Sequence, residues 1–400
     1  MNDGTPLKIL IVDDDAGFVN QLEEPLVRHG VRVVKANDLE TALYHFNQNR
    51  FDVVVIELEF APMPGLALVQ KWRNHEILEK RFAGFIIAAG GKRTAEDDML
   101  LKELGDLEII NKPFGHIQLL PYLQRSVERK TRTTKFYQVR KRISTLQEQG
   151  AQVEEVVAKI KENLSGLGPN GIVMMAEVYE SAGKYPEAMQ VVDMLLAGAQ
   201  NNPGLIGRKG RLLLRMGKMK EAKELLILAD KLSPNNIDRL NDMAEMYLET
   251  NDPDHTVSTM KSLVKLNADE PDLKFQYFEK LSTYGHDDHA MKFCRDSTPP
   301  QEVVRFYNNK GVVHSKSGEL DDAIAEYRKA LKYYPKHREM HRILFNLGLA
   351  HVNRKTKTDL EQAESYLKSC VELEPAFEKG AQLLERVQTL LGRSKKPKSA

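Results

Sequence analysis

Three acidic side chains and one lysine follow short apolar runs of the chain. Asp13 and Asp14 come directly after the first run, Glu57 ends the third, and Lys112 follows the fifth. If the runs are parallel strands, these positions meet at one edge of the sheet, because ligands of open α/β sheets gather at the carboxyl ends of strands. Carboxylates that meet there repel one another unless a cation or a proton relieves them. Asp13, Asp14 and Glu57 are therefore expected either to hold a cation such as Mg²⁺ or to share a proton.

The apolar runs that must position these side chains are short and are bounded by polar segments. They lie at residues 9–12, 31–34, 53–56, 85–89 and 107–110. The segments between them are long enough to form helices. Strands that alternate with helical patterns are typical of βα units around a parallel sheet, whose strands are buried on both faces. We therefore predict an α/β domain over residues 1–124.

Residues 7–124 resemble the receiver domain of response regulators, in which an aspartate at the end of strand three takes phosphate from a histidine kinase. Asp13 and Asp14 match the acidic pair after strand one in that family. Gly65 lies eight residues after Glu57, as in the acceptor loop of the family. The resemblance implies a doubly wound, parallel five-stranded domain in which Asp13 and Asp14 are the ligands of a weakly held Mg²⁺.

A second match is the segment Asn111-Lys112-Pro113-Phe114, which has the pattern of the lysine-proline motif of receivers. The resemblance implies that Lys112 is the lysine that steadies the phosphoryl oxygens and that a cis peptide precedes Pro113. In the family, a serine or threonine after strand four and an aromatic residue three positions before the lysine transmit the switch.

Three positions depart from the family pattern. Glu57 stands in place of the acceptor aspartate, Ala88 supplies no hydroxyl at the switch position, and Ile109 replaces the switch aromatic. Glu57 is one methylene longer than aspartate, and a misplacement of ~1 Å can slow a reaction ~100-fold. We therefore expect a pseudo-receiver that serves as a binding surface. Two alternatives stay open: Glu57 mimics the phosphorylated state, or the site keeps residual phosphorylation.

Small residues recur with a regular period in the second half of the chain. Ala188, Ala222, Thr256 and Ala290 are each 34 residues apart, and Ala323 follows after 33. A period of 34 residues is that of the helix–turn–helix units of tetratricopeptide repeats. The second half of the chain is therefore expected to be all helical.

Two copies resemble the tetratricopeptide family closely. Their signature residues are Tyr307, Gly311, Ala323, Tyr327, Ala330 and Pro335 in one copy, and Gly210, Ala222, Ala229 and Pro234 in the other. Small residues let two helices approach closely, and proline stops the second helix. We expect about six pairs over residues 169–392, with an insertion near 354–358 and a closing helix from Glu378 to Leu391. Such pairs stack into a superhelix with a concave groove.

In this family the first helix of each repeat usually lines the groove. The polar residues that this places there are Arg208, Arg211, Asn241, Asn308 and Asn309. They are candidate contacts for a helix or an extended peptide of a protein partner.

Residues 125–168, between the two regions, show helical spacing and no strand pattern. The segment from Arg125 to Arg142 carries eight Lys or Arg and one acid. A solvated helical face is the favoured interpretation of these charges, and binding of RNA or DNA is the alternative. The basic tail, residues 393–400, is expected to be disordered.

The composition gives no global field that would mark a nucleic-acid or membrane binder, because 58 Lys and Arg balance 57 Asp and Glu. No stretch approaches the ~18 apolar residues of a membrane-spanning helix. The amino terminus lacks the pattern of a signal peptide, and two cysteines are too few for a disulfide framework. We expect a cytoplasmic protein.

No segment with the pattern of an output enzyme or a DNA-binding helix-turn-helix follows the receiver region. We therefore predict a non-enzymatic adaptor of two-component signalling that binds a histidine kinase, another response regulator or an effector through its repeats. The receiver face of helix four, strand five and helix five could also pair two chains. The alternatives are a phosphate-sensing response regulator and a protein that binds nucleic acid through its basic connector.

Overall fold

The computed structural model describes residues 6–392 apart from residues 82, 92, 106 and 336, and it does not describe the side chains of residues 130–135 and 297. The chain divides into two compact units between Leu273 and Lys274. The predicted basic tail, residues 393–400, lies outside the described residues. Within the described part of the chain, no helix is both long enough and apolar enough to cross a membrane.

The first unit begins with a sheet of five parallel strands. They are β1 (Leu7–Val12), β2 (Val31–Ala36), β3 (Val53–Glu57), β4 (Gly84–Ala89) and β5 (Leu107–Asn111). The order across the sheet is β2-β1-β3-β4-β5. All residues of β3 and nearly all of β4 are buried, which is the burial of strands covered on both faces. The five apolar runs of the sequence therefore form the five strands, and the predicted doubly wound α/β fold is confirmed.

Six helices accompany the sheet. They are α1 (Ala16–Arg28), α2 (Leu39–Gln48), α3 (Gly65–Arg73), α4 (Leu78–Arg81), α5 (Ala95–Leu104) and α6 (His116–Glu148). The core between the sheet and α1 and α6 contains Ile9, Val53, Leu22 and Leu119, each no more than 2% exposed. As expected from the lysine-proline motif, the peptide bond between Lys112 and Pro113 is cis.

Helix α6 is 33 residues long and runs from the sheet into the helical region without a break. Leu119 and Leu123 are buried in the core of the sheet, whereas Ile143 is buried among helices that follow in the chain. Residue 124, the predicted end of the receiver, therefore lies inside one helix. The predicted connector, residues 125–168, contains the rest of α6 and the short helices α7 (Val153–Lys161) and α8 (Leu164–Leu167).

Three helix pairs complete the first unit. They are α9 (Pro169–Ser181) with α10 (Tyr185–Gly198), α11 (Pro203–Arg215) with α12 (Met219–Leu232), and α13 (Ile237–Glu249) with α14 (Pro253–Leu266). The second helix of each pair carries one of the periodic small residues in its first turns. These residues, Ala188, Ala222 and Thr256, are fully buried. The pairs agree in position and period with the predicted repeats.

The second unit consists of helices. They are α15 (Leu273–Thr283), α16 (Asp287–Ser297), α17 (Pro300–Lys316), α18 (Leu320–Tyr333), α19 (Met340–Arg354), α20 (Lys357–Leu373) and α21 (Glu378–Leu390). The insertion predicted near residues 354–358 is not a longer loop, because the turn between α19 and α20 contains only Lys355, with a φ of 64°, and Thr356, which caps α20. The helices on either side are long instead, with 15 residues in α19 and 17 in α20. Helix α21 is the predicted closing helix.

Gly311 of α17 lies directly against the ring of Tyr327 in α18. Tyr327 is 2% exposed, and a Cβ at position 311 would overlap three atoms of its ring, with Cζ only 2.7 Å away. A rigid, buried ring has no alternative rotamer that would clear this space. The close approach of the two helices therefore requires glycine at this position.

We expect Gly311→Ala to lower the free energy of unfolding by about 1–3 kcal/mol, because overpacking forces side chains and backbone to shift. Thermal unfolding followed by far-ultraviolet circular dichroism measures the effect. The matched control is Gly198→Ala in α10, where an added Cβ would meet no atom within 4 Å. The control should be neutral or stabilising by up to about 1 kcal/mol. Equal melting of the two variants would contradict the packing argument.

Candidate functional site

The predicted site lies at the carboxyl edge of the sheet. Asp13 follows the last residue of β1, Glu57 is the last residue of β3, and Lys112 follows the last residue of β5. Ala88 of β4 is the partner of Glu57 in the pairing of β3 with β4. The parallel sheet thus brings together residues from four separate parts of the chain, as the sequence predicted.

Lys112 joins the two buried carboxylates of this edge. Its Nζ atom lies 2.5 Å from Oδ2 of Asp13 and also forms an ion pair with Oε2 of Glu57. Asp13 is 1% exposed and Glu57 is 6% exposed, so water contributes little to solvating either charge. An unpaired charge in such a place is costly, and the lysine removes most of that cost. The Nζ atom also lies over the ring of Phe18, 4.6 Å from its centroid.

Lys112, Asp13 and Glu57 form a cluster, and the contacts between them determine the charge of the lysine. Burial raises the pKa of Asp13 above its usual value, and the hydrogen bond from Lys112 offsets this only in part. Burial alone would lower the pKa of Lys112, but its hydrogen bonds to Asp13 and Glu57 outweigh burial and raise it. Lys112 is therefore an ammonium ion at neutral pH and supplies one positive charge to two carboxyl groups.

Backbone N–H groups provide further contacts for the carboxylates. Oδ1 of Asp13 accepts the N–H of Asp15 at 3.0 Å. Oε1 of Glu57 faces the N–H groups of Glu59 and Gly90, both at 3.4 Å, which is longer than a typical hydrogen bond. The loop after β3 and the loop after β4 therefore both turn towards the carboxylate of Glu57.

Asp14 does not belong to this cluster. Its side chain is exposed, and among the described residues its carboxylate has no hydrogen bond or ion pair. Asp15, the next residue, caps α1 by accepting the N–H of Phe18 at 2.9 Å. Of the predicted acidic pair, one residue therefore faces the site and the other faces solvent.

The three predicted metal ligands consequently do not converge. The ammonium group of Lys112 lies between Asp13 and Glu57, where a cation that joins these carboxylates would have to be. Mg²⁺ does not fit between them in this arrangement, and its binding stays a prediction. Within the described parts of the chain, one group of three potential ligands lies within 4.8 Å of one another, and it is elsewhere, at His314, Glu319 and Asp322.

The two predicted switch positions lie on neighbouring strands, Ala88 on β4 beside Glu57 and Ile109 on β5. Ala88 is 1% exposed, and Ile109 of β5 is half-buried. The first hydroxyl after Ala88 in the sequence is that of Thr94, and it caps α5 by accepting the N–H of Asp97 at 3.1 Å. The sequence between Ala88 and Thr94 therefore supplies no hydroxyl group to this loop.

The two predicted groove arginines of the first unit form ion pairs with neighbouring helices. Arg208 of α11 pairs with Glu177 of α9 at 3.3 Å, and Arg211 pairs with Asp242 of α13 at 2.7 Å. Arg211 and Asn241 also line a polar cleft of about 530 Å³. Charges on successive first helices thus neutralise one another across this face of the repeats.

The acidic members of these pairs were not identified from the sequence, although a signal was present. Glu177 precedes Arg208 by 31 residues, and Asp242 follows Arg211 by 31 residues. The same spacing recurs in an ion pair of the second unit. Because the repeat period is 34, a spacing of 31 puts two charges on the first helices of adjacent repeats, about one helical turn apart.

The remaining groove candidates lie in the second unit. The side-chain oxygen of Asn308 accepts a hydrogen bond from Nδ2 of Asn346 at 2.8 Å, and Asn309 is exposed on the same helix. Asn309 is therefore accessible to a partner, whereas the side chain of Asn308 already forms a hydrogen bond within the repeats.

Part of the basic connector is also neutralised within the chain. Arg140 pairs with Glu177 at 2.8 Å, and Lys141 lies 3.6 Å from Glu79 of α4. The hydroxyl of Tyr137 donates to the same glutamate at 2.8 Å. These contacts fix α6 against its neighbours and reduce the charge that the connector can offer to nucleic acid.

We expect Lys112→Met to destabilise the receiver by about 3–5 kcal/mol at pH 7, because it leaves two buried carboxylates without a counter-charge. The loss should shrink as the pH falls. An acid whose pKa is higher in the folded chain binds protons preferentially in that state, so folding gains stability on acidification. The fluorescence of Trp72, the sole tryptophan, reports unfolding of this domain in urea.

The matched control for this variant is Lys35→Met. Lys35 pairs with Glu23 at 2.6 Å on the same domain, but both side chains are about one-third exposed. Its loss should cost no more than about 1 kcal/mol, because exposed ion pairs contribute little. A pH-independent loss in Lys112→Met, or equal losses in the two variants, would contradict the assigned role of the buried ion pairs.

The chain matches two known families over separate segments. Residues 9–124 match the family of response regulator receiver domains, and residues 204–236 and 304–337 each match a tetratricopeptide repeat. Over 118 residues, the chain is 30% identical to the regulatory protein VirG of Agrobacterium fabrum, which is 29% of this chain and 45% of VirG. It is 22% identical over 123 residues to the transcriptional regulatory protein PhoP of Escherichia coli K12, which is 31% of this chain and 53% of PhoP. The chain thus spans about half the length of the curated relatives it matches.

Solved structures resemble the two parts separately. The chemotaxis response regulator CheY4 of Vibrio cholerae is 27% identical, covers 30% of this chain and 99% of its own, and has a TM-score of 0.28. A tetratricopeptide repeat protein of Parabacteroides merdae is 12% identical, covers 64% of this chain and 99% of its own, and has a TM-score of 0.34. From the family matches and the fold, the chain contains a response regulator receiver domain followed by tetratricopeptide repeats.

Proposed function

We propose that this chain is a two-component signalling regulator that acts by binding proteins and does not take phosphate on its receiver. The observation that carries the proposal is the ion pair of Lys112 with Glu57. In a receiver that follows the family pattern, this lysine meets the phosphoryl group. Here a carboxylate of the chain itself satisfies the lysine, and no added ligand is needed to neutralise it.

The geometry of Glu57 argues against a role as phosphoacceptor. Its carboxylate is already engaged by the ammonium of Lys112 and is 6% exposed, so an incoming phosphodonor would have to displace a buried ion pair. Its side chain is also one methylene longer than that of aspartate, and reaction rates fall steeply with such a misplacement. Ala88 offers no hydroxyl to bind the transferred group.

Glu57 as a mimic of the phosphorylated state is the weaker alternative. Its contact with Lys112 suits a mimic, because the lysine meets a negative charge there at all times. A mimic must also move the switch residues, and Ala88 and Ile109 lack the hydroxyl and the ring on which that movement depends. A fixed receiver that serves as a binding surface needs neither group.

The repeats supply the second part of the proposal. Helix pairs of this type present surfaces for peptides and helices of partner proteins. The matching relatives are named as a regulatory protein and a transcriptional regulatory protein, which supports a regulatory role for the receiver part. Our proposal is a non-enzymatic adaptor whose partners are a histidine kinase, another response regulator or an effector protein.

A phosphoryl analogue tests the receiver part directly. Fluoroberyllate with Mg²⁺ is added to the full chain, and Trp72 fluorescence and thermal stability are followed. Trp72 lies on α3, is 3% exposed and stacks on Phe46 with ring centroids 4.2 Å apart, so it reports movement of this helix. We expect the wild type to show no saturable response.

The matched control is the double variant Glu57→Asp, Ala88→Thr, which restores the acceptor carboxylate and the hydroxyl of the family pattern and leaves Ile109 unchanged. We expect it to gain a Mg²⁺-dependent response, with about 2.7 kcal/mol of stabilisation when the analogue is at 100 times its dissociation constant. A saturable response of the wild type that is lost in Asp13→Asn would refute the proposal and establish phosphate sensing.

A further inference from the structure

Helices α3 and α5 of the receiver lie against the turn that leads from α12 into α13. Gln70 of α3 is 7% exposed and bonds the backbone of this turn twice. Its side-chain nitrogen donates to the carbonyl oxygen of Asn235 at 3.1 Å, and its side-chain oxygen accepts the N–H of Ile237 at 2.9 Å. The first N–H groups of a helix have no acceptor within that helix. The receiver therefore supplies an acceptor that α13 lacks.

A buried ion pair crosses the same contact. Arg239 of α13 is 2% exposed, and its two terminal nitrogens bond the two carboxylate oxygens of Glu103 in α5 at 2.9 and 3.1 Å. Asn236 donates to the same carboxylate at 3.0 Å. The side chain of Glu103 is 6% exposed. Two parallel bonds between a guanidinium and a carboxylate fix both distance and orientation.

A third contact lies at the edge of this surface. Lys71 of α3 pairs with Asp269 at 2.7 Å and with Glu270 at 2.6 Å, in the turn that precedes α15. These side chains are more exposed than Arg239 and Glu103, so their pairing contributes less. The surface therefore has a buried charged centre and a more exposed charged rim.

The chemistry of this centre makes the contact specific. Exchanging a buried ion pair for apolar side chains often costs nothing, but removing one partner of the pair is strongly unfavourable. Arg239 has one other acid nearby, Asp230, at 3.6 Å. Among the described residues, the only charged partner of Glu103 is Arg239, which lies on the other side of the contact. Movement of the receiver away from the repeats would leave Glu103 without its charged partner, and would leave Arg239 with Asp230 and the carbonyl oxygen of Ser233.

Both docking helices begin at the loops that surround Glu57. Helix α3 starts at Gly65, whose N–H bonds the carbonyl oxygen of Leu58 at 3.0 Å. Helix α5 follows the loop of Gly90, whose N–H faces the Glu57 carboxylate. The arrangement of the site and the position of the docking surface are therefore set by the same two loops.

We propose that the Glu103–Arg239 pair is a latch that holds the receiver on the second and third repeats and closes its α3–α5 face to other proteins. Helix α5 is the fourth helix of the receiver pattern, so the predicted pairing of two receivers would use part of the face that the latch occupies. The observations that carry the latch do not involve a phosphoryl group, and the phosphoryl-analogue result therefore does not decide it.

Hydrogen exchange of the full-length chain, resolved to single amides by mass spectrometry, tests the latch. The N–H of Ile237 is the most direct reporter, since its acceptor belongs to Gln70. We expect Glu103→Arg to accelerate exchange at residues 235–240 and 94–105 at least about tenfold, because an unpaired buried charge favours the open arrangement. The double variant Glu103→Arg, Arg239→Glu should return exchange to within about threefold of the wild type.

Two further variants keep the test decisive. Glu103→Gln removes the charge of this side chain with little change of its shape. It replaces Glu103→Arg if hydrogen exchange also becomes faster at the amides of β1 and β4, because that result would indicate an unfolded receiver. Glu24→Arg is the matched control, because Glu24 pairs with Arg28 on the exposed face of α1. It should leave exchange at residues 235–240 unchanged. Unchanged exchange at residues 235–240 in both Glu103 variants, or a charge swap that fails to restore protection, would overturn the latch.

Discussion

One lysine between two buried carboxylates is the constraint on which the first unit depends. Asp13 and Glu57 end neighbouring strands of a parallel sheet, and such strands bring their charges to one edge. Without a cation the two carboxylates would repel in a place that water barely reaches. Lys112 supplies that cation from the loop after β5, at the same edge of the sheet. Both acids can therefore be buried at the edge of the sheet, and the loops after β3 and β4 can pack around them.

The consequences of this pair extend beyond the sheet. The loop after β3 continues into α3, and the loop after β4 continues into α5, so the arrangement around Glu57 also sets where these helices lie. Both helices contact the repeats through polar groups that are almost fully buried, namely Gln70, Glu103 and Arg239. A buried polar group must meet its partner with good geometry. The receiver and the repeats of the first unit are thus fitted to each other through directional bonds.

The repeats use two kinds of contact for two purposes. Small residues such as Ala222 and Gly311 allow the helices of a pair to approach closely, and aromatic rings fill the remaining space. Charged residues instead join the first helices of successive repeats, as in the pair of Arg211 with Asp242. Arginines on the first helices that looked available for a partner are therefore structural as well. A protein that binds this face must compete with ion pairs or add to them.

The sequence by itself determined the elements and pointed to Asp13, Glu57 and Lys112 as residues that meet. Apolar runs specify buried strands, and a period of 34 residues specifies helix pairs, because both patterns depend on side chains that are close in sequence. The lysine-proline motif and the glutamate at position 57 were likewise visible in the chain. Tertiary structure decided which charges meet. It turned Asp14 to solvent, placed Lys112 between Asp13 and Glu57, and joined Glu103 to a residue 136 positions later. Such partners depend on how whole elements pack, and outside the regular spacing of the repeats a charge in the sequence carries no sign of which opposite charge will lie beside it.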